Sequence, residues 1–318
     1  MRIGFHASHE QFAPSDLLTW AGQAQAAGFD AGMCSDHFSP FSEAQGHSGF
    51  AWSWLGAALQ STQLTFGTVS APGYRYHPAI LAQAASTLAE MFPERFWLAL
   101  GSGEYLNERL TGEPWPPLEE RRARLSACAD IVRRLFAGET VTCDGPVKVC
   151  EAKLYTRAAI PPRIFAAAVS PESAARVAAW ADGLITVNQA PETLQRVVRA
   201  FVDNGGEGKP MYLQVHVAWA PTESEALANA HSEWRSNVFA GPLLWDAPRA
   251  SDLDAAARYV RPDDLRDSVR ISADLGQHLA WIEEDQRLGF DAVYLHEVGR
   301  AQQRFIDAFG TSVLPRLR

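Results

Sequence analysis

A chain of 318 residues that is 47% hydrophobic and 20% charged can bury a sizeable core, which excludes disordered and collagen-like classes. Its length suits one large α/β barrel or two ordinary domains. Lys+Arg 28 against Asp+Glu 37 leaves a formal charge of −9, without a basic run that would mark a nucleic-acid partner, and no apolar stretch is long enough for a bilayer, so a cytoplasmic, membrane-free protein is expected.

In chain order, short β-branched or aromatic runs alternate with stretches of helical period, the pattern of repeated βα units. Strands are expected at Arg2 to Ala7, Ala31 to Ser35, Leu64 to Val69 and Phe96 to Leu100. Four more are expected at Ile164 to Val169, Gly183 to Val187, Tyr212 to Ala218 and Ala292 to His296. Pro14-Ser15-Asp16 opens a helix that runs to Ala27 and stops at Gly28. Pro78, Pro117 and Pro171 open further helices, and two more near Leu275 to Leu288 and Ala301 to Leu314 flank the last strand.

Two segments interrupt the alternation. Val141 to Tyr155, centred on Asp144-Gly145, reads as an inserted β-hairpin within about 139–156, and 239–274 reads as short helices and loops. With no linker between the units, the expectation is a single closed (β/α)8 TIM barrel over residues 1–318. A doubly wound open sheet is the alternative; it lacks its glycine fingerprint, since the first strand runs into His6-Ala7-Ser8-His9-Glu10. Cys34, Cys128, Cys143 and Cys150 form no CxxC pair, so neither zinc nor a disulfide is assigned, with a Cys143–Cys150 bridge across the hairpin as a minor alternative.

In a barrel, polar residues just after the strands carry the chemistry. His37, in Asp36-His37, has the residue type of a proton acceptor for a substrate hydroxyl, although it can equally be a loop-bonding histidine. Gly101-Ser102-Gly103-Glu104 lets a flat ring or phosphate approach the backbone, or is simply a tight turn. Ser170-Pro171-Glu172-Ser173 caps a helix and has amides suited to a phosphate, and ordinary capping explains it as well. Trp52 and Trp54, His216 and His296 read as core, and Glu119-Glu120-Arg121-Arg122 as a solvated helix face.

Taken in order, Phe5-His6-Ala7-Ser8-His9-Glu10-Gln11-Phe12, Ser35-Asp36-His37-Phe38, Tyr74-Arg75-Tyr76-His77-Pro78, Gly101-Ser102-Gly103-Glu104-Tyr105-Leu106-Asn107-Glu108 and Ala181-Asp182-Gly183-Leu184-Ile185 resemble the luciferase-like flavin oxidoreductases over nearly the whole chain. Within them the chain is similar to glucose-6-phosphate dehydrogenases that use the deazaflavin coenzyme F420, and most of all to a branch described as flavin-type oxidoreductases that do not use it. The resemblance implies His37 as the base, Asp36 as a carboxylate touching the cofactor, and Glu104 as the acid at another edge of the same ring. Glu10 then stands at the pocket mouth, and Thr68-Val69 falls where the family has a cis peptide. Ser102, Gly103, Asn107, Ala167, Ala168, Val169 and Ser170 match segments that approach the cofactor.

The departures limit the substrate. The family's tryptophan after the Asp-His pair is Phe41 here, and the cations that grip a sugar phosphate have no counterpart in Thr186-Val187-Asn188-Gln189 or Leu265-Arg266-Asp267-Ser268, so glucose 6-phosphate is not the expected substrate. The resemblance leans to FMN, with F420 as the alternative. The expectation is an oxidoreductase, dimeric in solution, that moves hydride between a flavin-type cofactor and a small organic substrate. Monooxygenase chemistry with FMN, and a silent flavin-binding barrel, are the alternatives; a metal-dependent hydrolase lacks a ligand set.

Overall fold

The computed structural model describes residues 1–239 and 241–318, so Ala240, inside the second expected insertion, lies outside the described residues. Its barrel strands are β1 (Arg2–Ala7), β2 (Ala31–Cys34), β3 (Thr65–Ser70) and β4 (Phe96–Leu100), followed after the hairpin strands β5 (Val141–Asp144) and β6 (Lys148–Ala152) by β7 (Ile164–Ala167), β8 (Gly183–Val187), β9 (Met211–Ala218) and, last, β11 (Ala292–Glu297). All pair in parallel in the order β9-β11-β1-β2-β3-β4-β7-β8, and β8 pairs with β9 to close the ring. This is a TIM barrel, as expected. A two-residue strand absent from the sequence reading, β10 (Arg270–Ile271), extends the end of β9 at Val217 and Ala218.

The helices between strands are α1 (Pro14–Ala27), α2 (Ala51–Ser61), α3 (Pro78–Met91), α4 (Tyr105–Glu108), α5 (Leu118–Phe136), α6 (Pro171–Val177), α7 (Pro191–Phe201) and α8 (Glu223–Trp234). They continue through the short α9 (Pro242–Trp245) and α10 (Ala250–Ala256) to α11 (Leu275–Arg287) and α12 (Gln302–Ser312). Gly28 ends α1 in the left-handed region at φ 101° and donates its N–H to Gln25, as a glycine cap should. Among the described residues no helix is long and apolar enough to cross a membrane.

The floor of the barrel explains why function sits at one end. Trp97, Phe165, Tyr212 and Tyr294 pack against one another inside the strands, with ring centroids 4.3 to 5.7 Å apart. Glycines make room for them: a Cβ on Gly67 would lie 2.0 Å from the Trp97 ring. The aromatic plug fills one end of the barrel and leaves space only toward the C-terminal ends of the strands.

Two expectations need correction. Every peptide bond among the described residues is trans, including Thr68–Val69, because β3 keeps regular parallel register with β4 through Thr68↔Leu98 and Val69↔Ala99. In the hairpin Cys143 stands opposite Val149, which turns Cys150, one residue on, to the other face, and both thiols are free. A bridge between them does not fit this register.

Candidate functional site

The loops after β1, β2 and β4, with the last residue of β3, bring Glu10, Asp36, His37, Glu104 and Ser70 to one rim. His37 Nδ1 is held tightly by the Glu10 carboxylate, which also accepts hydrogen bonds from Ser8 Oγ at 2.9 Å and Ser35 Oγ at 2.7 Å. The proton therefore sits on Nδ1, and Nε2 points to Glu104 Oε2 at 3.9 Å. Burial opposes the charged imidazole, but the Glu10 carboxylate, and then Glu104, outweigh it and raise His37 to about 9. Burial likewise opposes ionisation of Glu10, yet His37 and Ser35 hold its carboxyl well below the usual carboxylate range. Burial pushes Glu104 up, against the pull of His37 and of the Asn107 side-chain amide.

Glu10, expected at the mouth, is instead buried behind His37, with its side chain only 3% exposed. The expected base and acid are neighbours and do not stand across a ring from each other.

A second network fixes the Asp36 end. Asp36 accepts from Ser70 Oγ at 2.5 Å and Tyr76 OH at 2.9 Å, while Arg75 donates to its side chain at 3.3 Å and to its carbonyl at 2.6 Å. The Arg75 amide donates to Glu108 at 2.9 Å, and burial lifts the Glu108 carboxyl to about 7 against the opposing charge of Arg75. Asn107 Oδ1 accepts from the amides of Phe38 and Ser39, both at 2.9 Å, which pins the loop that carries His37. Ser70 stands at the rim in the sequence, after the third strand, but Arg75, Tyr76 and Glu108 were not singled out as site residues; the motif Tyr74-Arg75-Tyr76 was the signal available.

Two adjoining cavities meet at this rim, sharing Asp36, His37, Val69, Glu104, Ala167, Val169 and Trp245. The outer one, about 700 Å³, is lined by Gly101, Ser102, Gly103, Asn107 and the run from Ala167 to Ser170. These small residues expose backbone, and Gly103 adopts φ +77°, where a Cβ would press on Glu108 and Ala71. Small side chains there leave room for a flat ring to approach the backbone. Thr68 lies outside both cavities, with its hydroxyl donated to Cys34 O at 3.0 Å, so of the Thr68-Val69 pair only Val69 faces the site.

The far end of the outer cavity is reached by Arg122 and Arg176, each paired with Glu119 and Glu172. The expected solvated face of α5 is therefore partly wrong. Arg121 is buried against Trp115, 4.4 Å from its ring, and pairs with Asp246, because the segment around α9 folds back over this helix.

The inner cavity, about 270 Å³, runs from His37 down toward the barrel axis. Phe41 lines it, edge-on to His37 at 5.0 Å. So do His216 and His296, which were read as core, and His6. Burial lowers His6 to about 3 and His216 to about 4, and places His296 well below its ordinary value. Burial thus disfavours the charged form of all three imidazoles.

A sequence profile described as luciferase-like monooxygenase matches residues 1–292. The F420-dependent glucose-6-phosphate dehydrogenase of Intrasporangium calvum is 33% identical over all of this chain and 99% of its own length, and that of Beutenbergia cavernae 31% over all of this chain and 98% of its own. Among solved structures, an F420-dependent secondary alcohol dehydrogenase, in complex with an F420–acetone adduct, superimposes with a TM-score of 0.92 at 27% identity, covering all of this chain and 99% of that one. The barrel, the rim that carries His37 and Glu104, and these end-to-end matches together place this chain in the luciferase-like monooxygenase family of oxidoreductases.

Proposed function

We propose that this protein is an F420-dependent dehydrogenase that interconverts a small uncharged alcohol and its carbonyl compound. The observation that carries the reading is the meeting of two cavities at His37 and Glu104, an outer cradle of small residues and an inner chamber without a lysine or arginine among its described lining residues. The two glucose-6-phosphate dehydrogenases and the secondary alcohol dehydrogenase described above are all F420-dependent by name, which favours the deazaflavin over FMN. When bound, a deazaflavin accepts a hydride, two electrons with the carbinol hydrogen, and nothing more.

The chain supplies the rest. Gly101, Ser102, Gly103 and Ala167 to Ser170 would hold the bound cofactor, next to the Asp36 carboxylate that Ser70, Tyr76 and Arg75 lock in place. His37, in its neutral form, takes the carbinol hydroxyl proton at Nε2, with Glu10 fixing its tautomer. Glu104, kept toward its acid form by burial, offers or receives a proton beside it. The inner chamber is lined by no lysine or arginine among the described residues, so a phosphate dianion has no cationic clamp there and glucose 6-phosphate is disfavoured.

Titration of the purified protein with F420 and with FMN, followed by absorbance and by turnover with secondary alcohols, tests the reading. Reduction of bound F420 is expected. Turnover only with FMN and oxygen would favour a monooxygenase instead. His37→Ala should lower kcat by about 10²- to 10⁴-fold and leave F420 affinity within a few-fold; wild-type turnover in that variant would remove His37 from its role.

A further inference from the structure

Beside His37 the inner cavity has an apolar wall built by two segments far apart in the chain. Phe41, from the loop after β2, and Leu244 and Trp245, from α9, all line the cavity, and all three are half-buried, so each keeps surface that the rest of the chain does not cover. Phe41 stands edge-on to His37, with ring centroids 5.0 Å apart. Phe41 and Leu244 also pack on one apolar cluster separate from the barrel core, with Leu106, Ala247 and Leu253 buried at its centre. Two strand residues continue the surface. Val69 packs against the cluster that floors the barrel, and Val187 follows Ile185 of that cluster by two positions, so both project toward the barrel axis; both are half-buried and line the same cavity.

Hydrogen bonds fix the wall from both sides. Gln45 Oε1 accepts from the amides of Phe41 at 2.9 Å and Ser42 at 3.2 Å. Asp246, next to Trp245, accepts from Trp115 Nε1 at 2.7 Å and from Arg121 at 3.2 Å, and Asp254 accepts from the Glu43 amide at 3.0 Å, which ties this segment back to the loop of Phe41. The half-buried polar linings have other roles. His37 and Glu104 belong to the reacting centre, while the side-chain amides of Gln214 and Asn237 lie 3.4 and 3.5 Å from the two ring nitrogens of His216. A fixed, uncovered apolar wall gains when an apolar group covers it, and its rigidity keeps the ordering cost of binding low.

We propose that the wall of Phe41, Leu244 and Trp245 selects a carbinol whose larger substituent is an apolar ring, aryl or alicyclic, with the carbinol carbon at His37 and the ring against the wall. The space suffices: a cavity of about 150 Å³ takes up benzene, and this one measures about 270 Å³. A ring matches the flat faces of Phe41 and Trp245 and loses less freedom on binding than an open chain of equal carbon count. The proposal rests on the dehydrogenase reading for the reacting carbon and adds the class of group attached to it.

The probes are 1-phenylethanol and 1-cyclohexylethanol, compared with 2-octanol, which has as many carbons in an open chain, and with 2-butanol. Binding is measured by calorimetry on the protein alone and on protein loaded with F420, and kcat/KM with F420 for the same four alcohols. Both ring alcohols should bind at least tenfold more tightly than 2-butanol, and more tightly than 2-octanol. Leu244→Ala, which alters the inner cavity alone, and Trp245→Ala should each cut the ratio of ring alcohol to 2-butanol by about fivefold or more, with circular dichroism checking that each variant is folded, and Trp245→Phe should restore most of it. A wild-type ratio near one, 2-octanol bound most tightly, or a ratio untouched in both folded alanine variants overturns the proposal. Failure of every alcohol to reduce F420 overturns the dehydrogenase reading, and calorimetry on the protein alone still decides whether the wall selects a ring.

Discussion

His37 sets the pH behaviour of the site, and the direction follows from which form each reaction needs. Alcohol oxidation requires the neutral imidazole, so its rate should climb with pH and level off near pH 9, whereas carbonyl reduction requires the imidazolium and should fall above the same value. Glu10→Gln removes the largest force holding the proton, and the oxidation profile should then move to lower pH by about 1 to 3 units; an unmoved profile means that Glu10 does not control His37. The same pair bears on stability. Because His37 is raised from 6.5 in an unfolded chain to about 9 in the fold, the native state binds the extra proton between those values. Its contribution is complete below pH 6.5, declines as pH rises, and is gone above about 9, which thermal melts of the wild type and Glu10→Gln can compare.

At the scale of elements, the strands are the rigid part and their loops the working part. Gly67 on β3 exists because Trp97 on β4 occupies the space a side chain would need, 2.0 Å from the position of a Cβ. Gly67→Ala should therefore destabilise by roughly 1 to 3 kcal/mol or more through overpacking, measured as a lower urea midpoint with an unchanged slope. A variant as stable as wild type would show that the aromatic floor can move. Arg75, at the end of the loop after β3, ties Asp36 on the β2 loop to Glu108 in α4, so three separate elements share one buried charge network. Truncating one member leaves the others buried and unpaired. Arg75→Met should thus cost about 3 to 5 kcal/mol of stability in chemical denaturation, whereas loss of an exposed pair such as Arg249–Asp252, screened by water, should leave the denaturation midpoint nearly unchanged.

At the scale of the whole molecule, β1 pairs with β2 on one side and with β11 on the other, so the barrel closes only when both ends of the chain meet. Removing residues 292–318 deletes β11 and α12, opens an edge on both β1 and β9, and strips His6 of the His296 ring stacked on it. The shortened chain should lose cooperative unfolding by circular dichroism; a sharp transition would mean that the remaining strands close without it. The two cavities share one rim for the same reason: the aromatic floor leaves open only the end where all eight loops converge.

The eight strands, the hairpin and the proline-started helices were legible because periodicity, caps and turn residues act locally, within a few positions of the residues they affect. Family membership was legible too, since short motifs around Asp36-His37 and Gly101 to Glu108 keep their spacing. Other features belonged to the assembled barrel alone: Glu10 behind His37, the burial of Arg121, the 3.9 Å between His37 and Glu104, and the gathering of His6, His216, Trp234 and His296 around one chamber. Each depends on residues far apart in the chain being desolvated together. Burial and proximity across the barrel arise only on closure, and no local pattern encodes which side chains will share the space it encloses.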